Sequence, residues 1–337
     1  MTRFRDLALA GMTVAAVICV SSCSTSDSSS ASADSGTGGD SGVRGGSSTS
    51  SSGSGSSSSG SGSSSASSGS SSSSSGSSSS GSGSSSSGSS GTCTAASTKI
   101  GYTCDFAWSG TMGPYILYNN WWGASGATGE QCIWGTCQNG NVIGWTTNWS
   151  WSGGTGSVLT YASVVFGWHY GWPVQNTGLP IPVSSTKAVN CDWDFTLTQP
   201  TGAFDVAYDI WLHPTANAPT ENPPYTNGGQ SDEVMIWLNQ EGNPGPAGAK
   251  AASGISIAGS TWNLFEGSSG SWAIHSYVRT SNTTTSAFDI MSFLKDLIGR
   301  NLMPNTRYLT GIEAGVEVRV GTGSGTLTTN SFSCGIQ

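Results

Sequence analysis

Charge is the scarcest commodity in this chain. Asp, Glu, Lys and Arg together make up 9% of 337 residues, against roughly 25% in an average globular protein. From Thr92 onward there are 8 Lys and Arg against 15 Asp and Glu, a net of −7. That balance excludes nucleic acid as a partner, because phosphate recognition needs basic surface. Histidine is nearly absent, with three in the chain. They lie far apart and no C-x2-C pair accompanies them, so a zinc site is not expected. No Walker or dinucleotide fingerprint occurs, and no G-x-S-x-G elbow occurs in the Trp-containing part. Neither metal nor cofactor is implied. No apolar run approaches the roughly 20 residues of a membrane span.

The residues present divide the chain into three parts. Arg3 and Arg5 precede an apolar run from Leu7 to Val20, broken by Gly11 and Thr13. This is the pattern of a secretory signal. It ends in Val20-Ser21-Ser22-Cys23, which resembles a bacterial lipobox. Residues 1–23 are therefore expected to direct export, with Cys23 lipidated and holding the protein at a membrane without spanning it. The protein would then be a cell-surface or outer-membrane lipoprotein. The competing reading is an ordinary signal peptide cut nearby, which gives a freely secreted protein. Residues 24–91 are almost entirely Ser and Gly. They lack apolar positions with which to build a core, so they read as a flexible tether. Its 68 residues imply a root-mean-square reach of about 45 Å.

Residues 92–337 hold all 14 tryptophans and are long enough for one packed domain. Six cysteines fall here: Cys93, Cys104, Cys132, Cys137, Cys191 and Cys334. An even count in an exported domain reads as up to three disulfides. Few charges with many Trp, Asn and Thr suit a neutral partner such as a sugar polymer, held by stacking and hydrogen bonds. Short Val, Ile, Thr, Tyr and Trp runs bounded by Gly, Asn and Pro repeat throughout, so strands are predicted one after another. One helix is predicted over Ala287–Gly299, capped by Ser286, because Phe288, Met291, Leu294 and Ile298 recur at helical spacing. The fold class is all-β, a two-sheet sandwich with one packed helix.

Three strands carry chemistry through their alternation. Asp205, Ala207, Asp209 and Trp211 share a face; so do Glu233, Met235 and Trp237; so do Glu313, Gly315, Glu317 and Arg319. Each strand has an aliphatic opposite face. A sheet holding all three would offer a concave surface of acids and aromatics. Glycosidic hydrolysis needs one carboxyl to protonate the leaving oxygen and a second to serve the sugar carbon.

These residues also resemble the cellulase-like glycoside hydrolases of family 12. The likeness runs from about Cys104 to Ser333. Its landmarks are Tyr-Asn-Asn-Trp-Trp-Gly (118–123), Gly-Glu-Gln-Cys (129–132), Trp-Ser-Trp-Ser-Gly-Gly (149–154) and Asp-Val-Ala-Tyr-Asp-Ile-Trp-Leu (205–212). Asp-Glu-Val-Met-Ile-Trp-Leu (232–238), Ser-Asn-Thr-Thr (281–284) and Ala-Gly-Val-Glu (314–317) follow in the same order. The resemblance implies a jelly-roll sandwich and a retaining endo-β-1,4-glucanase acting on cellulose, mixed-linkage glucan or xyloglucan as a monomer. It implies Glu233 as nucleophile, Glu317 as acid/base and Asp209 beside the nucleophile. It implies Asn120, Trp122, Met235 and Trp237 as substrate-binding residues, and a Cys104–Cys132 disulfide. The remaining cysteine pairings stay open. Two features depart from the family. Val316-Glu317-Val318-Arg319 stands where Thr-Glu-Pro-Phe is usual, and residues 213–230 form a long Pro- and Asn-rich segment. The alternative reading is a glycan-binding module without catalysis on the same scaffold, which a reducing-sugar assay separates.

Overall fold

The computed structural model describes residues 93, 96, 98–106, 108–169, 172–173, 176–217 and 229–337. The readings of the signal, Cys23 and the Ser/Gly linker, and most of the 213–230 segment, lie outside the described residues. Among the described residues no helix is long and apolar enough to cross a membrane.

The alternation read in the sequence becomes two sheets. The first has six strands in the order β1 (Ile100–Thr103), β4 (Ala127–Asn139), β5 (Val142–Gly153), β17 (Gly323–Ile336), β9 (Val189–Thr198) and β15 (Thr285–Asp289). The second runs β12 (Ala249–Ile257), β13 (Ser260–Ser269), β14 (Trp272–Arg279), β11 (Asp232–Glu241), β10 (Phe204–His213), β16 (Tyr308–Arg319), β6 (Val158–His169), β3 (Tyr115–Asn120) and β2 (Trp108–Met112). Two-residue strands β7 (Trp172–Pro173) and β8 (Ile181–Pro182) join it at β6 and β16. The described pairings are antiparallel except that of β11 with β14. This is a jelly-roll β-sandwich, as the sequence predicts.

One core fills the space between the sheets. Trp145, Trp193, Phe195 and Phe332 come from the first sheet; Val206, Tyr208, Ile210, Val234, Ile236, Ile312 and Val316 come from the second. Trp145 stacks on Trp193 with centroids 5.8 Å apart, and Phe332 meets both rings edge-on. Such pairs add to area burial because ring edges and faces carry opposite partial charge. Trp193 and Trp262 are both buried in this core. Tyr115 carries a polar atom into this core and satisfies it. Its hydroxyl donates to Asn141 O at 2.8 Å and accepts from Cys334 N at 2.8 Å.

The cysteines pair as Cys93–Cys137, Cys104–Cys132 and Cys191–Cys334. The second is the bridge that the family resemblance implies. The third links directly opposed residues of β9 and β17.

The helix needs correction. It spans Met291–Gly299 (α1), and residues 285–289 form β15 instead, paired with β9. Ser286 does not cap; its hydroxyl bonds the Tyr208 hydroxyl at 3.0 Å. Asp289 Oδ1 accepts from Met291 N at 3.0 Å and from Val189 N at 2.8 Å. The apolar stripe is Met291, Phe293, Leu294 and Leu297, with Phe288 contributed by the strand. Pairing with β9 gave the backbone of 285–289 ladder partners, which outweighed its local helical spacing.

Candidate active site

On β10, β11 and β16 the even and odd residues part as alternation requires. One set enters the core between the sheets. The other set lies on the opposite face of the second sheet, and it is not a solvated face: Asp205 is fully buried, and Asp209, Glu313 and Glu317 are buried almost completely. Four acids with so little water call for partners or protons, since an isolated buried carboxylate is costly.

Ladder register places them. Across β11, β10 and β16, Glu233 shares a rung with Trp211 and Gly311, and Met235 with Asp209 and Glu313. Trp237 shares the next with Ala207 and Gly315. Glu317 then stands opposite Asp205 on β10 and Tyr161 on β6, and Tyr161 opposite Asn120 on β3. Glu233 and Glu317 thus flank β10 from either side. Two rungs of this face lie between them, one carrying Met235, Asp209 and Glu313 and the other Trp237, Ala207 and Gly315. Gly315 is also fixed by close approach, because a Cβ there would meet Ala162 O at 2.2 Å.

Each acid has a distinct environment. Glu233 is half-buried and accepts from the Trp272 indole N–H at 2.7 Å. Burial pushes its pKa up to about 7, with Glu317 and Glu313 adding to the rise and Trp272 opposing it. Burial also raises Glu317, against the pull of Arg319, whose Nη1 lies 2.8 Å from Glu317 Oε1. Asp209 is held well above the usual carboxylate range by burial and then by the charge of Glu233. Glu313 is the most heavily hydrogen-bonded of the four. Ser163 Oγ donates to it at 2.8 Å and Trp211 Nε1 at 3.0 Å, and His169 Nδ1 lies 2.5 Å away. That saturation suits a structural anchor between β6, β10 and β16. The neighbouring acids thus add their repulsion to burial at Glu233 and Asp209, and each favours the proton there.

The other residues singled out from the sequence fall around this face. Asn120 lies at the end of β3, on the rung of Tyr161. Trp122, just beyond it, is 55% exposed and presents an open ring. Met235 and Trp237 are buried and pack with Ala207, Val278 and Phe265. The Arg319 guanidinium sits 5.5 Å from the centroid of Trp237. In the aromatic-dense 166–172 stretch, Phe166 joins the core and His169 turns to Glu313. Trp272 was not singled out from the sequence. It opens β14, whose parallel pairing to β11 sets Ile274 beside Glu233, and nothing local marks it as a partner of that glutamate.

Among the described residues one cluster has potential metal ligands, Cys104, Glu130 and Cys132. Both of its sulfurs are consumed in a disulfide, so it offers no thiolate.

Comparison with known proteins agrees with this architecture. Residues 113–337 match the model of glycosyl hydrolase family 12. A xyloglucan-specific endo-beta-1,4-glucanase A from Emericella nidulans is 33% identical over 249 residues, covering 72% of this chain and 95% of the relative. Endoglucanase S from Pectobacterium parmentieri is 35% identical over 219 residues, covering 62% and 77%. Among solved structures, the native family 12 xyloglucanase from Bacillus licheniformis superposes with a TM-score of 0.61 at 28% identity, covering 70% of this chain and 100% of that one. Endoglucanase 3 from Trichoderma harzianum gives 0.60 at 26%, covering 70% and 97%. The sandwich and these matches agree, and the chain belongs to glycosyl hydrolase family 12.

Proposed function

We propose that this glycoside hydrolase cuts internal β-1,4 bonds of a β-glucan by double displacement, with retention of anomeric configuration. The observation that carries the reading is the pair of glutamates, Glu233 and Glu317, reaching over one carboxylate-lined face from the strands that flank β10. In the first step Glu317 gives its proton to the glycosidic oxygen while a Glu233 oxygen attacks the anomeric carbon. The leaving chain departs as an alcohol and the sugar is held as an ester of Glu233. In the second step Glu317, now ionised, takes a proton from water; the hydroxyl oxygen attacks the same carbon and frees Glu233. Both groups return to their starting protonation states. A protonated Asp209 lowers the negative charge beside Glu233. The indole of Trp272 favours the ionised form that attacks. Trp122 offers an exposed ring for stacking on a sugar face, with Asn120 nearby for hydrogen bonding.

The relatives include proteins described as endoglucanases and others as xyloglucan-specific. Cellulose, mixed-linkage glucan and xyloglucan are therefore the three substrates to test, and a product profile on each separates them. Glu233→Gln and Glu317→Gln should each reduce turnover by about a hundredfold or more while leaving glucan binding intact. Proton NMR of the first product should show the β anomer; an α anomer would overturn double displacement. We also propose that the protein is exported and held at a membrane through lipid on Cys23, with residues 24–91 as tether.

A further inference from the structure

Arg319 follows Glu317 by two residues and so shares its face of β16. Its side chain is only 12% exposed, which is unusual for a cation. Its guanidinium is forked between two acids. Nη1 lies 2.8 Å from Glu317 Oε1, and Nη2 donates to Asp205 Oδ2 at 3.1 Å. Asp205 is fully buried and stands directly across the ladder from Glu317. The ring of Trp237 provides a third contact, 5.5 Å from the guanidinium carbon. A buried carboxylate needs its counter-ion in place, so Asp205 and Trp237 hold Arg319 where it is, independently of Glu317. The contact to Glu317 uses Oε1 and leaves Oε2 available.

We infer that Arg319 is a positioning residue for the acid/base step: anchored by Asp205 and Trp237, it holds Glu317 by one oxygen, leaves the other to carry the proton, and sets the pH above which that proton is lost. The inference rests on the assignment of Glu317 as acid/base. The groups facing Glu317 are Asp205 and Asp209 from β10, Tyr161 from β6, Glu233 from β11, and Glu313 and Arg319 on β16 itself. Arg319 is the one cation in that set. The acids and the buried setting favour the proton on Glu317, and Arg319 opposes it. Its removal raises the proton affinity of Glu317 and frees the carboxyl to leave its working orientation.

The test uses the full chain with Arg319→Gln, Arg319→Lys and the double change Asp205→Asn with Arg319→Gln. The double change removes both charges together and serves where the single change unfolds the protein. Rates are measured against pH on soluble mixed-linkage glucan and on a dinitrophenyl cellobioside, whose leaving group needs little protonation. Without Arg319, the alkaline limb of kcat/KM on glucan should move up by about one pH unit, the low end for losing an adjacent opposite charge. At the optimum, kcat on glucan should fall about tenfold, a fraction of what general acid catalysis supplies, with KM little changed and the dinitrophenyl substrate much less affected. Arg319→Lys should keep most of the wild-type limb. An unmoved limb, or equal losses on both substrates, overturns the role of Arg319. Glu317→Ala is the control: if it loses the dinitrophenyl activity as fully as the glucan activity and azide restores none of it, the acid/base assignment itself has failed.

Discussion

At the scale of single residues, the acidic face is governed by which donor meets which acid. Trp272 is the most informative case. Its N–H contacts Glu233 Oε2 at 2.7 Å, and a hydrogen bond to the charged form favours that form. Glu233 already sits at about 7, so losing the donor moves it higher. Trp272→Phe should therefore shift the acid limb of kcat/KM upward by about one unit, the equivalent of about 1.4 kcal/mol, and well within what a hydrogen bond to a charged group contributes. A pH profile on any soluble glucan substrate checks this. Glu313 behaves differently because its three partners, Ser163 and His169 on β6 and Trp211 on β10, tie β16 to both neighbouring strands. Glu313→Gln should cost stability of about 2 kcal/mol by leaving donors mismatched, read as a lower urea midpoint.

At the scale of elements, ladder partners outweigh local spacing. The segment 285–289 carries a helical apolar repeat yet joins β9 as an edge strand, and Asp289 supplies the acceptor for both Met291 N and Val189 N. Asp289→Ala should therefore destabilise by about 1–2 kcal/mol, as loss of a helix cap does, whereas Ser286→Ala should cost less in a denaturant titration. A second element-level device lies behind Glu233. His275 on β14 is buried between Glu266, at 2.8 Å, and Asp232, at 3.4 Å, and Arg307 pairs with Asp232 at 2.7 Å. Burial alone would lower His275, but these hydrogen bonds lift it to about 9. Its folded value exceeds the unfolded value of about 6.5. The imidazolium thus contributes stability in full below about pH 6.5, and that contribution fades as pH rises through about 9. Unfolding midpoints measured from pH 6 to 10 should fall across that window, and His275→Gln should flatten the slope.

At the scale of the whole molecule, the three disulfides close loops of very different length. Cys191–Cys334 spans 143 residues and Cys104–Cys132 spans 28. In the chain-entropy model those correspond to about 5 and about 3.5 kcal/mol. Replacing the Cys191–Cys334 pair by Ala should lower thermal stability more than replacing Cys104–Cys132, and calorimetry of the two variants decides it. The anchoring proposal also belongs to this scale. Wild-type protein should fractionate with membranes, and Cys23→Ala should shift it to the soluble fraction or stall its processing. Turnover of the separated region from Thr92 onward should not change.

Much of the architecture was legible in the linear chain, because strand periodicity is local. Alternation over 205–211, 233–237 and 313–319 was enough to sort core from the acidic face, and collinear landmarks were enough to name the family. What escaped was decided by register between distant segments. Arg319 meets Asp205 across 114 positions, and Ser163 meets Glu313 across 150. Trp272 reaches Glu233 only through the parallel β11–β14 pair. The partners of Cys93 and Cys191 were open for the same reason. A residue's period sets the face it takes, but its rung neighbour is set by how two sheets close over a shared core. The sequence by itself therefore determined which side chains share the acidic face of each strand. Only the tertiary structure decided which acid has a cation, which has an indole and which is saturated, because those contacts exist only once the ladders are in register.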